Sequence, residues 1–300
     1  MRLGDEQESS NFEDRTGQSG GGGFGFGGGG GGGPLGLILG LVASRFGIVG
    51  VVILLLGYCA LTTLGGVGGG TGGVAPSSVQ SGQPAGQSRL DPATKDIVLR
   101  VLGSTERRWT DLFAAKGQKY EPTTLVFYAN TNRSGCGIAQ SAMGPFYCPT
   151  DRMIYLDTSF FQELSQRFGV PGDFAMAYVI AHEVGHHVQH VTGQLDDASA
   201  QQARLSTAEG NAVQVRIELQ ADCYAGVWAA NDKNLLEPGD MEEGLKAASA
   251  IGDDTLQREA QGRVVPESFT HGTSAQRVAW LRKGLETGDP AACDTFKGAI

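Results

Sequence analysis

Four of the five histidines in this chain lie within ten residues, 181–190. His182 and His186 are four residues apart, so on an α-helix they lie one turn from each other on the same face and can bind one small cation together. Glu183 lies between them, and its side chain points about 100° round the helix from His182. From there it can reach a water molecule on the cation but is badly placed to bind the cation itself. This spacing therefore indicates that the helical face with both histidines can hold a metal ion.

The segment HEVGH, residues 182–186, has the H-E-x-x-H spacing of zinc hydrolases. A catalytic zinc takes three protein ligands and keeps one position open for water, so a third ligand is needed. Glu218 and Asp222 are four residues apart on a second predicted helix and share a face. We predict that Glu218 binds the metal and that Asp222 accepts a hydrogen bond from the outer nitrogen of a ligating histidine.

The other histidines of the segment allow a second interpretation. His190 lies one turn beyond His186 and is an alternative third ligand, although this choice leaves Glu218 and Asp222 without a role. For His187 and His190, a solvent-facing position or one at the C-terminal end of the helix is the simpler interpretation. Gly185 costs roughly 1 kcal/mol of helix stability relative to alanine, which indicates that another backbone approaches the helix beside the metal.

Glycine is concentrated in two stretches, at 20–33 and 65–73, and the chain has 47 glycines in all. Residues 1–34 are polar or glycine-rich and have little to bury, so we predict a disordered tail there. Residues 65–88 are rich in Gly, Ser, Pro and Gln and are predicted to be a flexible linker. The remaining residues, 89–300, have ordinary globular composition and are numerous enough for one domain with its own core.

Residues 46–64 (FGIVGVVILLLGYCALTTL) carry no charge and as a helix are about 28 Å long, which matches the hydrocarbon thickness of a bilayer. This predicts one transmembrane helix. A cleaved signal peptide, which begins earlier and is shorter, and a buried core helix are the alternatives. Arg45 abuts the first end and no positive residue follows the other end before Arg89, which predicts a cytoplasmic N-terminus. The expected location is the cell membrane, single-pass, with the domain at 89–300 outside the cytoplasm.

The predicted fold class is α+β, a mainly helical domain with a small β-sheet, preceded by the transmembrane helix and the glycine-rich tail. Hydrophobic spacing, helix caps and β-branched content predict its elements. Helices are expected at 91–117, 159–168, 173–193, 207–230 and 241–251, strands at 123–128 and 153–157, and a last helix around Val278, Trp280 and Leu281. Asp173 is predicted to cap the motif helix. A polar linker is expected to run to Thr270.

The formal net charge is −9 and the isoelectric point is near 5.1. Lys and Arg nowhere form a cluster longer than a pair. The basic surface that nucleic-acid binding needs is therefore absent, and we predict no nucleic-acid partner.

Four separated motifs, HEVGHHVQ, ELQADCYAG, GPFYCPTDRMIYLD and HGTSAQR, together resemble the bacterial family of neutral zinc metallopeptidases, the YpfJ-like proteins. The resemblance extends from about Arg89 to Cys293 and includes the N-terminal membrane helix. It implies a zincin-like domain that binds one catalytic Zn²⁺ through His182, His186 and Glu218, with a protein or peptide as the substrate.

The resulting hypothesis is peptide-bond hydrolysis by metal-activated water, with Glu183 as the general base that later protonates the leaving amine. His271, in a loop before the last predicted helix, is a candidate donor to the oxyanion. A capping or core position is its alternative, and Tyr147 and Tyr224 are weaker candidates for the donor. A zinc-stabilised binding or scaffolding module, and an enzyme that cleaves a cell-wall amide, are competing interpretations. Glu183 favours catalysis because it is not needed to hold the metal.

Four of the five cysteines lie in the globular part, an even number that suits two disulfides outside the cytoplasm. Peptidases of the zincin type are expected to bind substrate as an extra antiparallel strand, and residues 143–147 could supply the edge. In that case Cys136–Cys148 would close a functional loop and Cys223–Cys293 would tie the glutamate helix to the C-terminal region. Two other connectivities stay possible, as does a buried free thiol at Cys223.

Overall fold

The computed structural model describes residues 1–18, 90–170, 172–232 and 234–300. Its strands, in chain order, are β1 (Phe12–Asp14), β2 (Thr124–Tyr128), β3 (Thr131–Ser134), β4 (Gly137–Gln140), β5 (Phe146–Cys148) and β6 (Met153–Asp157). Its helices are α1 (Pro92–Ala114), α2 (Phe160–Phe168), α3 (Asp173–Val191), α4 (Gln194–Gln202), α5 (Thr207–Asn231), α6 (Asp240–Ala250), α7 (Asp253–Gln261) and α8 (Ser274–Thr287). The predicted α+β class, mainly helical with a small sheet, is confirmed.

The main sheet has the strand order β1-β2-β6-β5. Strands β1, β2 and β6 run parallel, and β5 pairs antiparallel with β6 at one edge, where Tyr147 lies opposite Ile154. The strands β2 and β6 are rich in β-branched and aromatic residues and are buried along most of their length, which explains why they form the middle of the sheet. Strands β3 and β4 form a separate antiparallel hairpin between β2 and β5.

The first 18 residues are ordered, which corrects the predicted disorder for this part of the tail. Strand β1 pairs with β2, Leu3 is buried, and the Met1 ammonium lies 2.9 Å from Asp173 Oδ2 at the start of α3. Gly103 on α1 lets this segment pass, because a Cβ there would overlap the backbone oxygen of Gln7. The segment is polar and gains its order from the sheet edge and from α1, neither of which its own composition indicates. Residues 19–34, the other part of the predicted tail, lie outside the described residues.

The predicted location as a single-pass membrane protein must be corrected. In the ranges that the structure describes, no helix is both long enough and apolar enough to cross a bilayer. The segment predicted to span the membrane, 46–64, and the predicted linker, 65–88, lie outside the described residues. The prediction that the domain lies outside the cytoplasm depends on that segment and is withdrawn with it.

Helix α5 lies at the centre of the helical layer, between α3 on one side and α8 on the other. It begins with a capping box formed by Ser206 and Glu209. Helix α8 crosses it at two glycines: a Cβ on Gly226 would overlap the backbone oxygen of Leu281, and one on Gly284 would overlap that of Cys223. The two backbones can come so close only because both positions lack a side chain.

Two helices were not expected from the sequence. Helices α4 and α7 have nine residues each and bury few side chains, so they show little of the apolar spacing on which the prediction relied. Helix α7 occupies part of the predicted polar linker. Helix α3 begins at Asp173, but its N-cap residue is Gly172, so the predicted capping role of Asp173 is wrong by one position.

Both expected disulfides are present. Cys136 is bonded to Cys148 across 12 residues and closes the hairpin onto β5. Cys223 on α5 is bonded to Cys293 across 70 residues. The second bond fixes the C-terminal segment to the helix that carries Glu218 and Asp222, as the sequence-based interpretation proposed.

Replacing Gly226 by alanine is expected to lower the free energy of unfolding by about 1–3 kcal/mol, because the new methyl group overlaps the backbone of α8. Gly210 is the matched control on the same helix, since a Cβ there meets no atom within 4 Å. Gly210→Ala should instead raise the free energy of unfolding by roughly 0.5–1 kcal/mol through helix propensity. Chemical denaturation of the full chain measures both, and equal effects would contradict the close crossing.

Candidate metal centre

Two helices carry the predicted metal-site residues, and they touch at one glycine. His182, Glu183 and His186 lie on α3, whereas Glu218 and Asp222 lie on α5. A Cβ on Gly185 would lie 3.1 Å from both Cα and the backbone oxygen of Ala221. The predicted approach of another backbone at Gly185 is therefore confirmed, and it brings the two sets of side chains within reach of each other.

The structure brings together the three predicted ligands. His182 Nε2 lies 3.2 Å and His186 Nε2 lies 3.6 Å from Glu218 Oε2. One donor atom from each residue can be chosen so that all three lie within 4.8 Å of one another. The side chains of His182 and Glu218 are each 8% exposed, so the cluster is almost closed to bulk water.

The hydrogen bonds on the far side of both imidazole rings decide which nitrogen faces the cluster. His182 Nδ1 lies 2.8 Å from Asp222 Oδ1, and His186 Nδ1 lies 2.9 Å from Gln189 Oε1. The amide of Gln189 is oriented by its Nε2, which donates to the backbone oxygen of Ile217. A carboxylate or amide oxygen can only accept, so each ring donates through Nδ1–H and keeps an unprotonated Nε2 when it is neutral.

Three hydrogen-bond acceptors therefore converge: two Nε2 atoms and one oxygen of Glu218. The other oxygen, Oε1, is already engaged, because Gln214 Nε2 donates to it at 2.9 Å. When both rings are neutral, these acceptors repel one another unless a proton or a metal cation lies between them. Two imidazole nitrogens and one carboxylate oxygen are a ligand set that catalytic zinc sites use, with the fourth position left for water. The residues present fit a single zinc ion.

Charge within the cluster shifts several pKa values. Burial lowers the pKa of His182, but Asp222 and Glu218 outweigh it and raise that pKa above its ordinary value. Burial raises the pKa of Glu218, yet His186 and His271 hold it well below the usual range. Burial likewise opposes ionisation of Asp222, but Arg277 and His182 lower its pKa to about 2. Both carboxylates are thus ionised at neutral pH and attract a cation.

Glu183 lies on the same helix, one residue after His182, and is 7% exposed. With the rest of the described chain its carboxylate forms no hydrogen bond and no ion pair. Its position beside two predicted ligands, with no partner among the described residues, leaves this carboxylate available to a water molecule or substrate.

The sequence-based prediction missed two residues behind the site. Arg277 on α8 donates through Nε to Asp222 Oδ2 and through Nη2 to Asp222 Oδ1, both at 2.9 Å. Tyr178, one turn before His182 on α3, donates to Asp222 Oδ1 at 2.6 Å. Arg277 belongs to the motif HGTSAQR and lies four residues after the helix cap at Thr273. Its place in the first turns of that helix, within a motif, was the signal that could have indicated it.

The remaining histidines have separate positions. His190 Nδ1 lies 2.7 Å from the Tyr147 hydroxyl on β5, and His187 binds the same hydroxyl at 3.1 Å. His187 is buried, which lowers its pKa, and its Nε2 donates to the backbone oxygen of Glu121. The structure thus uses both residues to attach β5 to α3, and places Glu218 rather than His190 with the other two predicted ligands.

His271 lies in the loop before α8, with its side chain 46% exposed and Nδ1 3.3 Å from Asp253 Oδ1. Asp253 also accepts the backbone N–H groups of Thr270, His271 and Gly272, which fixes the loop. Its partial burial lowers the pKa of His271, but the charges of Glu218 and Asp253 outweigh this and raise that pKa above its ordinary value. The structure thus places His271 beside Asp253 and not among the three predicted ligands.

An HExxH helix that faces a glutamate across one cation position defines a class of metalloproteins with a hydrolase-type zinc site. Within that class, the chain belongs to the family described as "Putative neutral zinc metallopeptidase", which matches residues 1–296. The family resemblance inferred from the four motifs is confirmed, and the family implies zinc and a peptide or protein substrate.

Relatives of this chain occur in more than one bacterium. The uncharacterized protein YpfJ of Escherichia coli (strain K12) is 44% identical over 310 aligned positions, covering 100% of both chains. The uncharacterized protein Mb2605 of Mycobacterium bovis is 42% identical over 223 positions, covering 69% of this chain and 73% of its own. No solved structure matches this chain.

Proposed function

We propose that this protein is a zinc-dependent peptidase in which His182, His186 and Glu218 hold one zinc ion and Glu183 is the general base. The observation that carries the proposal is the convergence of three acceptor atoms on one cation position, beside a carboxylate that has no partner in the described part of the chain. A site that only stabilised the fold would be closed by a fourth ligand. It would also have no use for a free carboxylate.

The side chains have distinct tasks in this proposal. Zinc, when bound, supplies a Lewis acid that activates water and polarises the substrate carbonyl. Asp222 holds the Nδ1–H of His182 and thereby keeps Nε2 directed at Glu218. Glu183 accepts the proton of the attacking water on its carboxylate and returns it to the leaving amine. The buried surroundings of the cluster strengthen each of these charge interactions.

The main sheet supports a peptide as the substrate. Strand β5 lies at an edge of the sheet. Its Tyr147 is hydrogen-bonded to His187 and His190 of α3. An edge strand presents unpaired N–H and C=O groups that an extended peptide can pair with. A substrate bound in this way would lie along an element attached to the HExxH helix.

The proposal is tested with the full chain, because residues 1–18 are part of the domain and a chain cut at residue 89 would lack β1. The protein loaded with zinc and the same protein after chelation are each incubated with a diverse peptide library. Cleavage that requires zinc supports a peptidase. Zinc bound in stoichiometric amount without any cleavage would favour the alternative, a zinc-stabilised binding or scaffolding module.

His271 is proposed as the donor to the oxyanion, since it is half-exposed, anchored by Asp253 and electrostatically linked to Glu218. His271→Asn should lower kcat roughly 10²- to 10³-fold, the usual effect of removing one oxyanion donor. Zinc content should stay unchanged. A rise in KM at constant kcat would instead assign His271 to ground-state substrate binding.

A further inference from the structure

Arg277 is a buried cation directly behind the metal cluster. Its side chain is 3% exposed, and its guanidinium binds both oxygens of Asp222 in a two-pronged arrangement. The same Nη2 atom donates to the Tyr178 hydroxyl at 3.1 Å, and Nη1 donates to the backbone oxygen of Ile251 at 3.2 Å. One side chain thus connects α8 with α5, α3 and the end of α6.

The backbone around Arg277 is held from several directions. Helix α8 starts with a capping box formed by Thr273 and Gln276, which sets Arg277 in its first turn and a half. The glycine crossing at Gly226 and Gly284 fixes how deep α8 lies on α5. The guanidinium therefore reaches Asp222 from a rigid support and not from a mobile loop.

The two oxygens of Asp222 have different hydrogen-bond partners. Oδ1 accepts from His182 Nδ1, Tyr178 and Arg277 Nη2, whereas Oδ2 accepts from Arg277 Nε. A carboxylate bound at only one oxygen can rotate about its Cβ–Cγ bond. The planar fork of an arginine holds both oxygens in one plane, and the orientation of Oδ1 determines the direction of the His182 ring.

We infer that Arg277 is a positioning residue for the metal centre: it locks the Asp222 carboxylate, so that His182 Nε2 points at the cation position opposite Glu218. Its Nη2 also lies 3.5 Å from His182 Nδ1, farther than the 2.9 Å that separate it from Asp222 Oδ1, so Arg277 acts mainly through Asp222. This inference rests on the proposed zinc site. A buried ion pair contributes little to stability compared with apolar residues of similar volume, so geometry is the stronger reason for an arginine here.

The test uses the full chain with Arg277→Lys and Arg277→Gln, and Arg282→Lys as the matched control, because Arg282 lies on the same helix and is exposed. Zinc affinity is measured by competition with a chelator, and Co²⁺ absorption reports the geometry of the ligands. Partners one step outside the ligands typically contribute 10- to 100-fold to metal affinity. We expect both variants at Arg277 to weaken zinc binding about tenfold or more and to alter the Co²⁺ spectrum, whereas the control should match the parent protein.

A double-substitution cycle separates positioning from general structure. If Arg277 acts through Asp222, then Arg277→Lys should cause almost no further loss of zinc affinity once Asp222→Asn is present. Independent, additive losses would overturn the inference, as would unchanged zinc affinity in the folded Arg277 variants. Failure of both variants to fold without metal would also overturn it, because Arg277 would then serve folding itself. If the parent protein binds no zinc, the proposed function fails instead.

Discussion

Replacing Glu183 by glutamine is expected to reduce kcat for peptide hydrolysis by about 10²- to 10⁴-fold, the usual contribution of a general base. Glutamine has nearly the same shape but cannot accept the proton of the attacking water. The side chain binds no other described residue, so its replacement removes no structural contact. Zinc content and the free energy of unfolding should therefore stay close to those of the parent protein.

This combination of results is what distinguishes a base from a ligand. Steady-state kinetics on a peptide cleaved by the parent protein give kcat and KM, and metal analysis gives the zinc content of the same sample. Glu242→Gln on the exposed face of α6 is a matched control, which should leave kcat unchanged. Unaltered kcat in Glu183→Gln would refute the proposed role, and loss of zinc would place Glu183 among the ligands.

Glu218→Gln is expected to weaken zinc binding by roughly 100-fold or more. Structural zinc sites release about 10–16 kcal/mol on binding, and losing the only charged member of a three-residue set removes a large share of such an energy. Competition with a chelator of known affinity measures the change. Activity at limiting zinc should fall together with zinc affinity, and assays at saturating zinc separate the loss of affinity from any loss of kcat.

The same assay decides between Glu218 and the alternative third ligand. His190→Ala should leave zinc affinity within about twofold of the parent value, because His190 binds the Tyr147 hydroxyl and lies outside the ligand cluster. Retained zinc in Glu218→Gln together with lost zinc in His190→Ala would reverse the assignment.

For the parent protein, zinc affinity should increase with pH. The two carboxylates raise the pKa of His182, and its ring must lose a proton before Nε2 can bind the metal.

Local spacing predicted the three residues that the structure brings together as a candidate metal site. His182 with His186 and Glu218 with Asp222 are pairs at a separation of four residues, and a helix alone places such pairs on one face. The same local rules predicted α1, β2, β6 and α5 within a few residues of their observed bounds. Gly185, an unfavourable residue inside a helix, correctly indicated where α5 approaches α3. The residue pairs and the element bounds depend on interactions within one element, and Gly185 departs from helix propensity at a single position, so the amino-acid sequence expresses all three directly.

Other features depend on contacts between distant parts of the chain. Strand β1 is ordered by β2, more than 100 residues away in sequence. Arg277 reaches Asp222 only because α8 crosses α5 at two glycines. Neither the pairing of β1 nor the contact of Arg277 with Asp222 produces a periodic pattern in its own segment. Both are stabilised by pairing or burial against a part of the chain that is remote in sequence. The residues of the candidate metal site could therefore be named from their spacing, whereas the arginine that lies behind them became visible only in the assembled helices.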